Sequence, residues 1–348
     1  MENVLNRIKK PFRELLFLFS VTSLTTINGD VLAQEARFSL PLNCDIGETC
    51  FLQNFADLDR DTPFVVDTIC GTASYNGHRG IDIRVKDEKA LQAGVDILAV
   101  ASGVVLGTRN TAPDKRITTK ADRAAVKGRE CGNGLSMRHE NGQVTQLCHL
   151  SQGSVLVKRG DRVKQGQKIG EMGLSGLTTF PHVHLALRSG PSGQKILDPL
   201  TGNPANKNAC DIDPLASTNL PFGADQTKAL IASSKAVIDL GLAGVPFELA
   251  RLVEGTAPPV PTSADKATVG WAWLLNVKKG DRVWMGISYN GAKYAENLSK
   301  PIEKHKATYF YFTGRSRSPK AGHYEVLVEL RRGDAVVRKK SRTFTVRD

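Results

Sequence analysis

The chain has 348 residues, 41% of them hydrophobic, and carries 47 Lys and Arg against 35 Asp and Glu, a formal net charge of +12. That length makes two domains the natural expectation. The positive balance favours an anionic polymer as partner, but the charge is diffuse and no nucleic-acid-binding module is present, so no nucleic acid is expected to bind.

The N-terminus reads as an export signal over residues 1–33. Arg7, Lys9, Lys10 and Arg13 form a basic stretch, Leu15 to Val21 an apolar one, and Val31-Leu32-Ala33 a small-residue cleavage site before Gln34. Thr22, Ser23, Thr25 and Thr26 break the apolar run, which falls short of the ~20 apolar residues of a spanning helix. An exported mature chain, periplasmic or secreted, with no stable membrane insertion after cleavage, is therefore expected. Cys44, Cys50, Cys70, Cys131, Cys148 and Cys210 all follow that site. An even number in an oxidising compartment implies disulfides, with connectivity left open. Cys131 and Cys148 flank a hairpin around Asn141-Gly142. A plain two-residue turn would put Cys148 opposite Leu135, so pairing these two cysteines requires Gly132 and Gly134 to fold the chain back.

Residues from about 34 to 70 read as an irregular, cysteine-bearing lead-in. From Tyr75 to Pro199 the pattern is short β runs and glycine turns: Asp96–Ala101, Gly103–Thr108, Leu135–His139, Gln143–His149, Ser154–Val157 and His182–Arg188. This is an all-β core rather than a βαβ repeat. Lys115, Arg116, Lys120, Arg123, Lys127 and Arg129 crowd a segment without strand alternation, a long loop inserted after a strand Ile97–Leu106 and expected at a groove rim.

Three fragments within this region carry chemistry: Asn76-Gly77-His78-Arg79-Gly80-Ile81-Asp82, Leu147-Cys148-His149-Leu150-Ser151 and Pro181-His182-Val183-His184-Leu185. Zinc takes imidazole nitrogen and carboxylate oxygen, and a catalytic zinc keeps three protein ligands with one open position. His78, Asp82 and His184 supply such a set. Alternate strand residues point the same way, so His182 and His184 share a face while Val183 turns to the core, and Asp82 likewise opposes Ile81 and Ile83. His139, His305 and His323 have no chelating neighbours and read as ordinary surface or hydrogen-bonded histidines. A structural zinc site would be closed and usually thiolate-rich, and no Cys-x-x-Cys occurs.

The ordered pattern His-x-x-x-Asp, His-Leu-Ser, Pro-His-x-His resembles the M23 (lysostaphin/LytM-type) zinc metallopeptidases, which cut peptidoglycan peptides. The resemblance covers roughly Gly77 to Pro199. It implies one Zn2+ per chain held by His78, Asp82 and His184, with His149 and His182 as catalytic histidines, one orienting or deprotonating water and the other donating to oxyanion or amine. Which does which stays open. No Glu at zincin spacing is present to act as base instead. The resemblance further implies a mainly β fold, an M23-type antiparallel sheet (duplicated-hybrid-motif-like) with the metal in a groove on one face, and peptidoglycan as substrate. The chain differs from many relatives in carrying Thr179-Phe180 ahead of Pro-His and Leu185 after the second histidine. The competing expectation is a catalytically silent LytM-like protein that activates other wall hydrolases; such proteins typically lack one or more of the five residues.

The sequence then divides into a peptidase region with its lead-in (34–214), a connecting segment (215–261) ending in Ala257-Pro258-Pro259-Val260-Pro261, and an immunoglobulin-like β-sandwich (262–348). The sandwich is expected from the alternating, aromatic-rich runs Val269–Val277, Arg282–Ser288, Ala307–Phe312, Tyr324–Arg331 and Ala335–Val346. Trp271, Trp273 and Trp284 are expected as core and edge aromatics rather than a ligand-stacking face.

Overall fold

Short apolar runs separated by glycine turns favour hairpins over helices, and the computed structural model, which describes residues 37–348, is mainly antiparallel β. The proposed signal at 1–33 lies outside the described residues. The first part forms strands β1 (Cys50–Asn54), β2 (Ile81–Val85), β3 (Asp96–Leu98), β4 (Gly103–Arg109), β5 (Asn133–His139), β6 (Val144–Leu150), β7 (Arg162–Val163), β8 (Lys168–Glu171), β9 (His182–Ser189) and β10 (Lys195–Leu197), with short helices α1 (Glu88–Gln92) and α2 (Lys120–Ala125). The main sheet runs β1-β2-β9-β6-β5-β4-β7, with β10 also paired to β9, while β3 and β8 pair separately. The three motif-bearing strands β2, β9 and β6 are thus consecutive in it, β2 lying next to the edge strand β1, and Asp82 stands directly opposite His184. Ile81, Ile83, Val183 and Leu185 turn the other way into the core. A one-residue slip would exchange those faces, so burial of the aliphatics fixes the register of the polar set.

Local differences from the sequence pattern have local causes. The lead-in contains β1, whose Cys50-Phe51-Leu52-Gln53-Asn54 shows no alternation because both faces are covered. The run Ile97–Leu106 is split: Ala99 bonds Gln167, after which the chain leaves β8 and β4 pairs with β5. Ser154–Val157 joins no strand; it follows an extended path with one backbone bond to β8, Leu156 N to Ile169 O at 3.0 Å. The basic loop contains α2, closed at its start by reciprocal bonds between Thr119 and Asp122.

The remainder forms α3 (Gly223–Ser233), β11 (Val237–Ala243), α4 (Leu249–Val253), β12 (Thr268–Val277), β13 (Arg282–Tyr289), β14 (Ala292–Leu298), β15 (Lys306–Arg315), β16 (Gly322–Arg332) and β17 (Ala335–Val346). Sheet β11-β12-β15 faces sheet β14-β13-β16-β17 over a shared core. The stretch 215–261, read from sequence as connecting, supplies α3, which packs on the first core through Phe222 and Leu230, and β11, an edge strand of the sandwich. Every residue of β12 is buried. Ala272 and Leu274 enter the sandwich core, whereas Trp271, Trp273 and Leu275 on its other face meet Phe51 of β1, Ile238 and Leu252. Trp271 and Trp273 are therefore core residues, and Trp284 stacks under Arg331 at 5.3 Å.

Candidate metal centre

His78 follows a turn at Tyr75 and leads into β2, which brings its ring over the Asp82–His184 pair. Three atoms converge there. His78 Nε2 lies 3.1 Å from Asp82 Oδ1 and 3.0 Å from His184 Nδ1, and His184 Nδ1 lies 2.9 Å from Asp82 Oδ1. These separations approach the ligand–ligand edge of about 3.3 Å expected of tetrahedral zinc with bonds near 2.0–2.1 Å. Among the described residues, the one other cluster with metal-ligand atoms in reach is Cys70, Cys210 and Asp211, and its two cysteines are joined to each other.

Two members of the triad, His78 and Asp82, are held from behind. His78 Nδ1–H donates to Phe55 O at 2.6 Å; a carbonyl can only accept, so Nε2 keeps its lone pair for the centre. Asn54 Nδ2 donates to Asp82 Oδ2 at 2.8 Å, leaving Oδ1 for the centre. Asp82 is only 2% exposed, and its ion-pair partners among the described residues are histidines alone. Burial works to raise its carboxyl pKa, yet the surrounding His78, His182 and His184 hold it well below the usual carboxylate range. A buried carboxylate facing two imidazole lone pairs needs a cation, so the donor set fits a divalent metal.

His149 and His182 flank the triad. His182 Nε2 lies 3.6 Å from Asp82 Oδ1, and the His149 and His182 rings are 4.6 Å apart. His182 Nδ1–H donates to Phe180 O at 2.8 Å and His149 Nδ1–H to Ser175 O at 2.8 Å, so both rings again present a bare Nε2. Burial lowers the pKa of both, and the neighbouring histidines add to the effect at each. His149 holds φ of 68°, a left-handed conformation costing a non-glycine residue on the order of 1 kcal/mol. It is retained because His149 N bonds Cys131 O, Gly173 N bonds His149 O, and Cys148 beside it is joined to Cys131.

That disulfide shows how the hairpin solves its register. His139 pairs with Gln143 around Glu140-Asn141-Gly142, with Gly142 at φ 77°. This three-residue loop puts Cys148 opposite Gly134 rather than Leu135. Gly132 has φ 63°, and a Cβ on Gly134 would meet Leu147 O at 2.1 Å, so these glycines let Cys131 return to Cys148.

The groove above the triad has a volume of about 430 Å³ and is bordered by Tyr75, Arg79, Glu130, Gln146, Leu177 and Arg188. Tyr75 stacks on His78 at 4.4 Å, and Phe180 stacks on His182 at 4.4 Å. Burial raises the Tyr75 hydroxyl pKa, which keeps it a donor. Residues 76–199 match the family model described as Peptidase family M23.

This segment is an M23 peptidase domain.

Its curated relatives include the peptidoglycan DD-endopeptidases ShyC and ShyA of Vibrio cholerae serotype O1. The first is 49% identical over 53 residues, covering 15% of this chain and 12% of that protein. The second is 32% identical over 110 residues, covering 32% and 20%. The chain spans less than a quarter of the length of the curated relatives it matches. Among solved structures, the catalytic domain of lysostaphin from Staphylococcus simulans is 27% identical, covering 35% of this chain and 75% of that one with a TM-score of 0.25.

The structure brings together all five residues that the sequence singled out around the M23 domain's groove. Sequence reasoning did not find Asn54, the carbonyls of Phe55, Ser175 and Phe180, or the groove-bordering Tyr75 and Arg188. Carbonyls have no side-chain signature, and Asn54 lies in a strand that showed no alternation.

Proposed function

We propose that the chain is an exported zinc metalloendopeptidase that hydrolyses peptide bonds of bacterial cell-wall peptidoglycan. The observation that carries this reading is the convergence of His78, Asp82 and His184 beside two further histidines with bare Nε2 atoms. The DD-endopeptidase names of the two Vibrio relatives support the substrate class. Three disulfides, Cys44–Cys50, Cys70–Cys210 and Cys131–Cys148, support an oxidising compartment.

His78, Asp82 and His184 would hold one zinc ion, which supplies Lewis-acid polarisation of the scissile carbonyl and lowers the pKa of water to about 7. The chain's own groups handle the protons. His149 and His182 are neutral near pH 7 because burial depresses both, so each offers Nε2 as acceptor. One accepts the proton of the attacking water, and the pair returns a proton to the amine as the C–N bond breaks. Their Nδ1–H bonds to Ser175 O and Phe180 O hold the ring orientation throughout.

Digestion of purified peptidoglycan, with mass analysis of released fragments, tests the reading. Fragments should appear with the zinc-loaded protein, stop with a chelator and return on adding zinc. His78→Ala, Asp82→Ala and His184→Ala should each lose bound metal and turnover, whereas His149→Ala and His182→Ala should keep metal and lose about 100-fold or more in turnover. A folded, zinc-loaded protein that releases nothing from several wall chemotypes would leave the regulatory reading in its place.

A further inference from the structure

Two guanidinium groups border the groove over the triad, and neither has an acidic partner among the described residues. Arg188 lies on β9 four residues beyond His184 and on the same face, since alternate strand residues share a face. Its NH2 donates to Gln146 Oε1 at 2.9 Å. Gln146 stands opposite Ala186 on β6, one same-face step from the Cys148–His184 pair. The head of Arg188 is thereby drawn back toward the metal triad, to a strand position roughly 7 Å from that of His184. Arg188 Nε is shut away from water and meets no acceptor, and its NH1 makes no bond within the described chain. Arg79 brings a second positive charge to the same groove.

Glu130 is the carboxylate bordering the same groove, but it accepts from Gly128 N at 2.8 Å and lies beyond ion-pair distance of either arginine. A half-buried guanidinium held in place by a neutral amide, beside a like charge and without a counter-ion, is an incomplete ion pair. A planar fork of this kind matches a carboxylate in shape and charge.

We propose that Arg188, with Arg79 beside it, forms a carboxylate-binding subsite of the groove, and that the substrate carries a free carboxylate on a residue flanking the bond that is cut. The proposal rests on the peptidase reading of this groove and narrows it. A cross-link made through a side-chain amine meets the requirement, because the residue that supplies the amine keeps its own α-carboxylate. Amidation of that carboxylate removes it.

Two synthetic cross-linked peptides, identical except that the flanking carboxylate is free or amidated, test the proposal with the zinc-loaded full chain. The kcat/KM of the wild type should favour the free acid by on the order of 10-fold or more, as for a hydrogen bond to a charged group. In R188Q the acid-to-amide ratio should fall toward one, and R188K should lie between, keeping charge without the fork. Zinc content and thermal midpoint establish that each variant is folded, and R188K carries the test if R188Q is not. Equal turnover of both peptides by the wild type overturns the subsite and leaves the peptidase reading standing. If neither peptide is cut, calorimetric binding separates the two ideas. Preference for the acid in the wild type, lost in R188Q, keeps the subsite and removes the peptidase reading, whereas binding of neither peptide overturns both.

Discussion

Three of the four motif histidines, His78, His149 and His182, hand Nδ1–H to a backbone carbonyl and keep Nε2 bare. Side-chain identity is what a sequence displays, so the donor set was legible in it; the carbonyls that fix the tautomers depend on where the backbone passes and were not. Asn54 is the side chain that joins this supporting layer. Asn54→Ala removes the donor on Asp82 Oδ2 and should lower metal affinity or turnover by about 10–100-fold with the fold retained, as metal titration and turnover would show. Unchanged zinc affinity and rate would mean that this bond does no orienting. His139, read from the sequence as an ordinary surface or hydrogen-bonded histidine, bonds Ser102 O and Thr145 Oγ1 in the core, and burial lowers its pKa. A histidine depressed in the folded state contributes stability that is present above its unfolded pKa of about 6.5 and lost as pH falls through the folded value. Between about pH 7 and pH 5 the thermal midpoint of His139→Asn should therefore fall less steeply than that of the wild type. Parallel midpoint curves would show that His139 is not a contributor.

At the scale of elements, alternation located β9, β13, β16 and β17 because each has one well-defined apolar face, and Trp271 and Trp273 marked β12 although both its faces are buried. Alternation missed β1 and β11, whose burial on both faces leaves no period-2 contrast, and β14, whose Ala292 to Leu298 lies at a sheet edge and is never fully buried. The β5–β6 hairpin is the instructive case. A three-residue loop shifts the register by one, and only then do the glycines bring Cys131 to Cys148, the residue before the strained His149. Replacing both cysteines by serine opens a loop of 17 residues' separation, and chain entropy places the cost at about 3 kcal/mol. The loss in turnover should exceed what that destabilisation explains, because the backbone holding His149 at positive φ is released. Comparing turnover well below the variant's melting temperature with its unfolding free energy checks this. A variant that is less stable but equally fast would show that the disulfide only staples the hairpin.

At the scale of the whole molecule, the M23 domain and the sandwich are joined by contacts that the strand pattern does not show. Asn276 Nδ2 bonds Gln53 O at 2.7 Å and Ser234 O at 3.0 Å, tying β12 to β1 and to the end of α3. Arg84, fully buried on β2, donates to Gln53 Oε1 at 2.6 Å and to the carbonyls of Val85 and Lys86. Its guanidinium lies 4.7 Å from the Trp273 ring and 5.1 Å from the Phe180 ring, and Phe180 stacks on His182. An unbroken pile thus runs from the sandwich to a candidate catalytic histidine. A sequence cannot show this pile, since Trp273 looks like any core aromatic until its opposite face is known to be covered. A fragment starting at residue 262 lacks β11 and exposes the Trp271–Trp273 face, so it should not fold alone, contrary to the expectation drawn from its strand pattern. Residues 37–348 should instead unfold in one calorimetric transition. Trp273→Ala should lower that single transition by about 3–5 kcal/mol, as for other buried large-to-small changes. It should also slow turnover below the melting range, because Arg84, which packs on Phe180, loses its other ring partner. Two separate transitions in the wild type, with only the later strands affected by Trp273→Ala, would show that the sandwich is an autonomous appendage and that the pile transmits nothing.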